Sequence, residues 1–453
     1  MSDYLTRTAQ SRISARPGEH VLDWHPGSQK ATIQIGESGQ EFLAGWRPPR
    51  AASDLLLFGA SVYCIDKTSP RRASGDAWTR NLCLRLPVAD PTAFVDADWP
   101  RTLAFLTGDT WRIEPYAGTQ DPLDDIDGVP DSTTGGSAAA DAVCLFSGGL
   151  DSLCGAIDLL EADPAARICL VSHHEAGQAS VAQQHLVKAL LDHYGKDRVT
   201  SRRLYLRPAP ANASQHRPLP STRDNTTRAR SILFLTSALA IAAANGPDTP
   251  VYVPENGFIG VNVPLTRARV GTMSTRTTHP HFMNLLAESL RRVGIDNPIV
   301  NPYRLTTKGE MLEQSRNADL LRRLAPKSLS CAHPETARYA KRAQGNCGYS
   351  YPCLIRRASL HHVSWDTETY AWDVLTDRAL LDPRTRRGAD LRAVVTGVLA
   401  ERPDIDVLRN APLPSGERTE FLNVWRRGRT ELRSWINDKA TGPLRARFAT
   451  PTP

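Results

Sequence analysis

The residues best suited to chemistry form one hexapeptide, Ser147-Gly148-Gly149-Leu150-Asp151-Ser152, directly after the apolar run Ala142-Val-Cys-Leu-Phe. The run predicts a buried strand and Ser152–Leu160 a helix, so the hexapeptide is a strand-to-helix turn. Its two glycines leave the backbone bare, and its serines add hydroxyls. The helix N-terminus adds unpaired N–H groups and the positive end of a dipole. A turn of this kind suits the oxygens of a phosphate. An ordinary turn capped by Ser152 or Asp151 would explain the cap, but not all six residues together.

A second group points to a metal. Eight cysteines in 453 residues are too sparse for a disulfide scaffold. Five sit in apolar surroundings, where cysteine behaves as a small hydrophobe. The other three, Cys331, Cys347 and Cys353, lie in a stretch whose turns are supplied by Gly345 and Gly348. Three thiolates leave one vacancy in a tetrahedral Zn2+ site. His333 is the nearest candidate to fill it, with His361 and His362 farther along. The alternative is three ordinary reduced thiols. Glu255 and Asn256 follow a predicted strand at 250–254, where open α/β sheets meet ligand, although a simple turn would also place them there. His279 and His281 stand in a loop rich in Thr and Arg, as loop hydrogen-bonders or as functional groups.

The elements that must position these residues change character along the chain. Residues 1–118 hold short β-compatible runs, including 30–36, 54–66 and 81–87, which predict a β-rich N-terminal domain. Residues 119–141, acidic and rich in Gly and Ser, read as a linker. From residue 142 to 363, predicted strands (167–172, 199–206, 250–254) alternate with predicted helices (180–194, 227–245). That alternation predicts an α/β fold with a doubly wound parallel sheet. Residues 364–453 predict a helical C-terminal extension, with helices at 373–381, 390–400 and 417–440. No internal repeat is visible in the sequence.

The hexapeptide resembles the PP-loop of the ATP pyrophosphatase superfamily, Ser-Gly-Gly-x-Asp-Ser. The resemblance implies cleavage of ATP between its α- and β-phosphates. Three further segments are similar to the 7-cyano-7-deazaguanine synthase (QueC) family. They are Arg230-Ser-Ile-Leu-Phe-Leu, the Pro302 to Lys308-Gly-Glu segment, and the cysteine stretch. Ser350 stands where that family has a fourth cysteine. The Tyr-Pro-Asp-Cys stretch that the family carries near its deazaguanine has no counterpart between Glu255 and His281. The likeness covers residues 142–363. A chain with these added flanks resembles the QueC-like (QatC) components of Qat anti-phage defence systems.

The resemblance implies an ATP-dependent ligase that adenylates a 7-carboxy-7-deazaguanine-type carboxylate for attack by ammonia or by an amine of a partner protein. Ser147, Gly148, Gly149, Leu150 and Ser152 would hold the phosphates. Asp151 would hold Mg2+ or order the loop, and Arg230 and Lys308 would complement charge on the phosphates. Cys331, Cys347, Cys353 and His333 would hold Zn2+. The implied partners are a deazaguanine-type small molecule and a protein of the same defence operon, with room for a homo-oligomer. A plain synthase and a catalytically silent ATP-binding scaffold stand as alternatives.

Composition excludes several other classes. Hydrophobic residues make up 41% of the chain, which rules out wholesale disorder. The longest apolar run, around 233–244, is too short to span a bilayer. With an N-terminus unlike a secretory signal, this predicts a soluble, cytoplasmic protein. The net charge of +7 comes from 47 arginines and only eight lysines, with no dense basic run. So mild an excess does not make a nucleic-acid-binding protein.

Overall fold

The computed structural model describes residues 2–449 except 10, 26–27, 29–30, 37–40, 125, 127, 130–139, 175–176, 211–218, 221, 225–227, 265–275, 343, 377–379, 381, 383 and 400–403. The strands in chain order are β1 (Ser2–Thr8), β2 (His20–Trp24), β3 (Ile33–Ile35), β4 (Asn81–Val88) and β5 (Thr110–Ala117). There follow β6 (Ala142–Leu145), β7 (Ile168–His174), β8 (Val199–Pro208), β9 (Val251–Tyr252) and β10 (Ile299–Val300). All ten join one sheet, in the order β10-β9-β6-β7-β8-β3-β2-β1-β4-β5. Neighbours run parallel except β3 and β8, which pair antiparallel from Ile33↔Pro208 to Ile35↔Leu206. The chain is therefore α/β, and its predicted parallel core is one half of a larger mixed sheet.

The two halves share a strand order. Numbered from its own first strand, each half reads 3-2-1-4-5, and they meet through their third strands. Antiparallel pairing of equivalent edges is what a two-fold axis produces, so the sheet is a pseudo-dimer within one chain. The connections follow the same pattern. Helix α1 (Arg50–Thr68) leads from β3 to β4; α2 (Pro91–Asp96) and α3 (Trp99–Thr107) lead from β4 to β5. In the second half α4 (Leu150–Ala162) and α5 (Gln178–Tyr194) serve the first two crossovers. Helix α6 (Arg230–Asn245) leads from β8 to β9, and α7 (Gly257–Val261) and α8 (Pro280–Arg292) lead from β9 to β10. The equivalent helices α1 and α6 pack on each other, as do α3 and α8, where the Thr102 and Ser289 hydroxyls lie 3.0 Å apart.

This arrangement corrects one sequence expectation. The run at 54–66 is not a strand but the centre of α1, buried along nearly its whole length. A short, uniformly apolar run has no period that separates a buried helix from a buried strand. Gly59 lies on the face of α1 against α6, and a Cβ there would collide with the Thr236 side chain. Glycine mid-helix costs about 1 kcal/mol of propensity, and here it permits the close approach of the two helices. The described part of the segment read as a linker also packs. Leu123 and Ile126 are buried, and Pro122 O accepts the Trp24 indole N–H at 2.7 Å. Residues 130–139 of that segment lie outside the described residues.

Beyond β10 come α9 (Lys308–Glu313), α10 (Ala318–Leu324), α11 (Thr336–Tyr339) and α12 (Tyr351–His362). The extension contributes α13 (Ala389–Leu399), α14 (Ile405–Asn410), α15 (Arg418–Lys439) and α16 (Gly442–Ala449). The α-helix expected at 373–381 is absent among its described residues, of which 374–376 form a turn. Helix α15 packs along α12 and α7, with Gly428 against Phe258. Among the described residues, no helix is long and apolar enough to cross a membrane.

Candidate functional site

The hexapeptide sits where the strand order of the second half reverses, between β6 and β9, at the C-terminal ends of both strands. Open α/β sheets bind ligands at such points, because adjacent crossovers diverge there and leave a crevice. Gly148 takes φ +80°, a conformation that favours glycine, and its backbone lies against Gln183 of α5. Gly149 then caps α4. The loop is tied on several sides. The Ser147 and Ser152 hydroxyls lie 3.2 Å apart, Leu329 N–H donates to Gly148 O at 2.8 Å, and Leu150 N–H donates to the Ser330 hydroxyl at 3.1 Å.

Asp151 is held by two partners. Lys308 Nζ lies 2.5 Å from its Oδ1, as an ion pair rather than an aligned hydrogen bond. Asn256 donates to Oδ2 from its side-chain amide at 2.7 Å and from its backbone at 3.2 Å. Lys308 is only 3% exposed, so its charge acts beneath the loop and balances a carboxylate in a poorly solvated place. It opens α9, whose N-cap Thr307 forms a capping box with Glu310. The extension braces this turn: Glu431 of α15 accepts from the Thr307 hydroxyl and from Gly309 N–H at 3.2 Å.

Ser147, Ser152, Arg230, Glu255, Thr277 and Thr278 line one cleft, with apolar walls from Leu145, Phe234 and Val253. Arg230, the first residue of α6, is aimed by His173 at the end of β7. Its Nε donates to His173 Nδ1 at 3.1 Å and its Nη2 to His173 O at 2.7 Å. The other ring nitrogen of His173 meets Leu206 O at 3.0 Å. Burial, and then the Arg230 charge, push the His173 pKa down to about 3. The ring is therefore neutral, with its proton on Nε2.

The N-terminal half braces the segments that carry Arg230 and Thr278. Asp66 of α1 accepts from Ala229 N–H at 3.0 Å, one residue before Arg230. Phe105 of α3 packs against His279 and His281 and beneath the Arg276 guanidinium. His279 caps α8 by accepting from His281 N–H, and burial holds its pKa at about 3. Both histidines therefore have structural work here.

No family model, curated protein or solved structure matches the chain.

The structure brings Cys331, Cys347 and Cys353 together, with their sulfur atoms all within 4.8 Å of one another. The Cys347 and Cys353 sulfurs are 3.8 Å apart, close to the edge of a tetrahedron built on metal–sulfur bonds of about 2.3 Å. Backbone N–H groups point at the sulfurs, from His333 and Cys347 to Cys331 and from Ser350 to Cys347. Such donors stabilise thiolates, so the group can bind a metal. The His333 ring is exposed, stands outside the sulfur group and faces Tyr349. The Ser350 hydroxyl is closer in, 3.9 Å from Cys331 Sγ. His361 and His362 pair with Asp438 and Glu313 instead.

Two functional features were not singled out from the sequence. His173 carries no motif, and its role follows only from its place at a strand end facing Arg230. Ser330 lies beside a cysteine, and only the fold shows that it also holds the hexapeptide loop through Leu150 N–H.

Proposed function

We propose that this chain is a PP-loop enzyme of the QueC-like type. It joins a 7-carboxy-7-deazaguanine-type carboxylate to AMP, releases pyrophosphate, and passes the activated acyl group to an amine. The observation that carries the reading is the hexapeptide at the switch point of a parallel half-sheet, sharing one cleft with Arg230.

A carboxylate oxygen is a poor leaving group until it is joined to AMP, and the departing pyrophosphate gathers negative charge as the bond breaks. Ser147, Ser152 and the amides at the start of α4 would cradle phosphate oxygens. Arg230, fixed by a neutral histidine, would meet the growing charge with a rigid donor fork. Of the two roles open to Asp151, its partners support ordering the loop: Lys308 and Asn256 occupy both oxygens. Mg2+ then enters with the phosphates of ATP. Zn2+ at the three cysteines would supply rigidity, with the Ser350 hydroxyl or a water as the fourth ligand. The acceptor amine is ammonia, or an amine of a protein from the same defence operon, which would make a base-to-protein conjugate.

The test is pyrophosphate release from ATP with 7-carboxy-7-deazaguanine, with and without the neighbouring operon product, followed by mass spectrometry of that product. Release that depends on the carboxylate and is abolished by Asp151→Ala supports the reading. ATP binding without release under any of these conditions would leave a silent scaffold.

A further inference from the structure

Glu255 is the acidic side chain of this cleft that the adenylation step leaves unused. It follows β9, at the reversal point of the strand order, and lines the cleft together with Ser152 and Arg230. Its backbone is fixed on both sides by Asn301, whose amide donates to Glu255 O at 2.8 Å and accepts from Glu255 N–H at 3.4 Å. One carboxylate oxygen accepts from the Thr278 hydroxyl. The nearby described cations bond other groups: Lys308 pairs with Asp151, and Arg230, which lines the cleft, donates to His173. Among the described residues no cation contacts its carboxylate, and an acid held rigidly in a cleft in this way is costly to keep as structure and suits proton transfer.

On the adenylation reading, we infer that Glu255 is the catalytic base of the second half-reaction, taking the proton that the attacking amine must lose. The amine nitrogen attacks the acyl carbon of the adenylate and forms the C–N bond. The bond from that carbon to the AMP oxygen breaks, and its electron pair leaves with AMP. The extra N–H proton passes to the Glu255 carboxylate and then to solvent. Thr278 supports the geometry, since its hydroxyl holds one oxygen and leaves the other for the amine.

The surrounding charges agree with this task. Burial is the largest influence and raises the Glu255 pKa to about 7; the Thr278 bond opposes it, Asp151 adds to it, and Lys308 opposes it. Arg230 of α6 faces the same cleft, and His279 beyond Thr278 is neutral. A base poised near neutrality is efficient, because it is both available and strong enough.

The experiment separates the two half-reactions in Glu255→Gln. Adenylation is read by isotope exchange between pyrophosphate and ATP in the presence of 7-carboxy-7-deazaguanine. Transfer is read as amide formed with ammonium chloride or hydroxamate formed with hydroxylamine, a nucleophile strong enough to need little help. The expected result is exchange within about threefold of the unsubstituted chain and amide formation reduced about 100-fold or more. Hydroxamate formation should be largely retained, and the rise of amide formation through about pH 7, at fixed free ammonia, should be lost. Equal loss of exchange and transfer, or a raised KM for the carboxylate in exchange, would overturn the assignment and make Glu255 a substrate-binding group. Retained exchange also shows that the variant is folded. Absence of exchange in the unsubstituted chain would instead sink the adenylation reading beneath it.

Discussion

At the scale of single residues, the most consequential contact is the buried pair of Asp151 and Lys308. The loop motif and Lys308 lie more than 150 positions apart, and nothing in their spacing says that they touch. The resemblance implies that Lys308 complements phosphate charge and that Asp151 holds Mg2+ or orders the loop; the fold pairs the two side chains directly and adds Asn256 on the other carboxylate oxygen. Removing one member strands the other charge in a low-dielectric place, a cost of about 3–5 kcal/mol, while removing both is far less damaging. Lys308→Met should therefore lower the midpoint of thermal unfolding sharply and abolish pyrophosphate release. Adding Asp151→Ala to it should restore most of the unfolding midpoint and none of the activity. Calorimetry of the single and double variants, read beside pyrophosphate release, checks both halves of this expectation. A double variant that stayed as unstable as Lys308→Met would show that the pair is not the reason for the loss.

At the scale of elements, the hexapeptide loop and the cysteine turn form one mechanical unit. Leu329 and Ser330 are bonded to Gly148 O and Leu150 N–H, and Cys331 follows directly. Cys353 extends the tie, with its thiol 3.6 Å from Ser330 O. A metal on the three sulfurs would pin the turn and, through it, the loop. Cys347→Ser, or removal of metal with a strong chelator, should lower bound zinc and weaken ATP binding about tenfold or more. Metal analysis beside calorimetric titration with ATP checks this, and unchanged ATP affinity in the metal-free chain would refute the coupling. The same elements show what a sequence can reveal. The α4, α5 and α6 helices and their strands were legible, because polar turns separate their apolar runs, α5 shows a helical period in its buried residues, and the run of α6 is too long for a strand. The run at 54–66 was misread, because α1 is buried against both the sheet and α6 and carries no polar stripe to betray its turns. The ligand donors were legible as residue types, but which fourth group stood near the sulfurs depended on how the 331–353 turn folds.

At the scale of the whole molecule, each flank braces one cation of the site. The extension holds the Lys308 turn through Glu431, and the first half holds the Arg230 turn through Asp66 and α3. The shared strand order explains why the first half can do this: it stands where a second copy would stand in a symmetric dimer built on β8 and α6. It also explains why no repeat shows in the sequence. The halves share a path through space, but among the described residues no helix follows β1 or β2, so the order of strands and the α1–α6 and α3–α8 contacts are what remain in common. Helix α6 is buried around most of its circumference, and without α1 it would expose an apolar face beside an open strand edge. A protease site placed within residues 130–139 should therefore leave the two pieces associated after cutting, with pyrophosphate release intact. A chain lacking the first half should aggregate, or pair with its own copy through β8 and α6. Light scattering of the cut protein and of the shortened chain decides between these outcomes. A soluble, active and monomeric second half would show that the first half is not its structural partner.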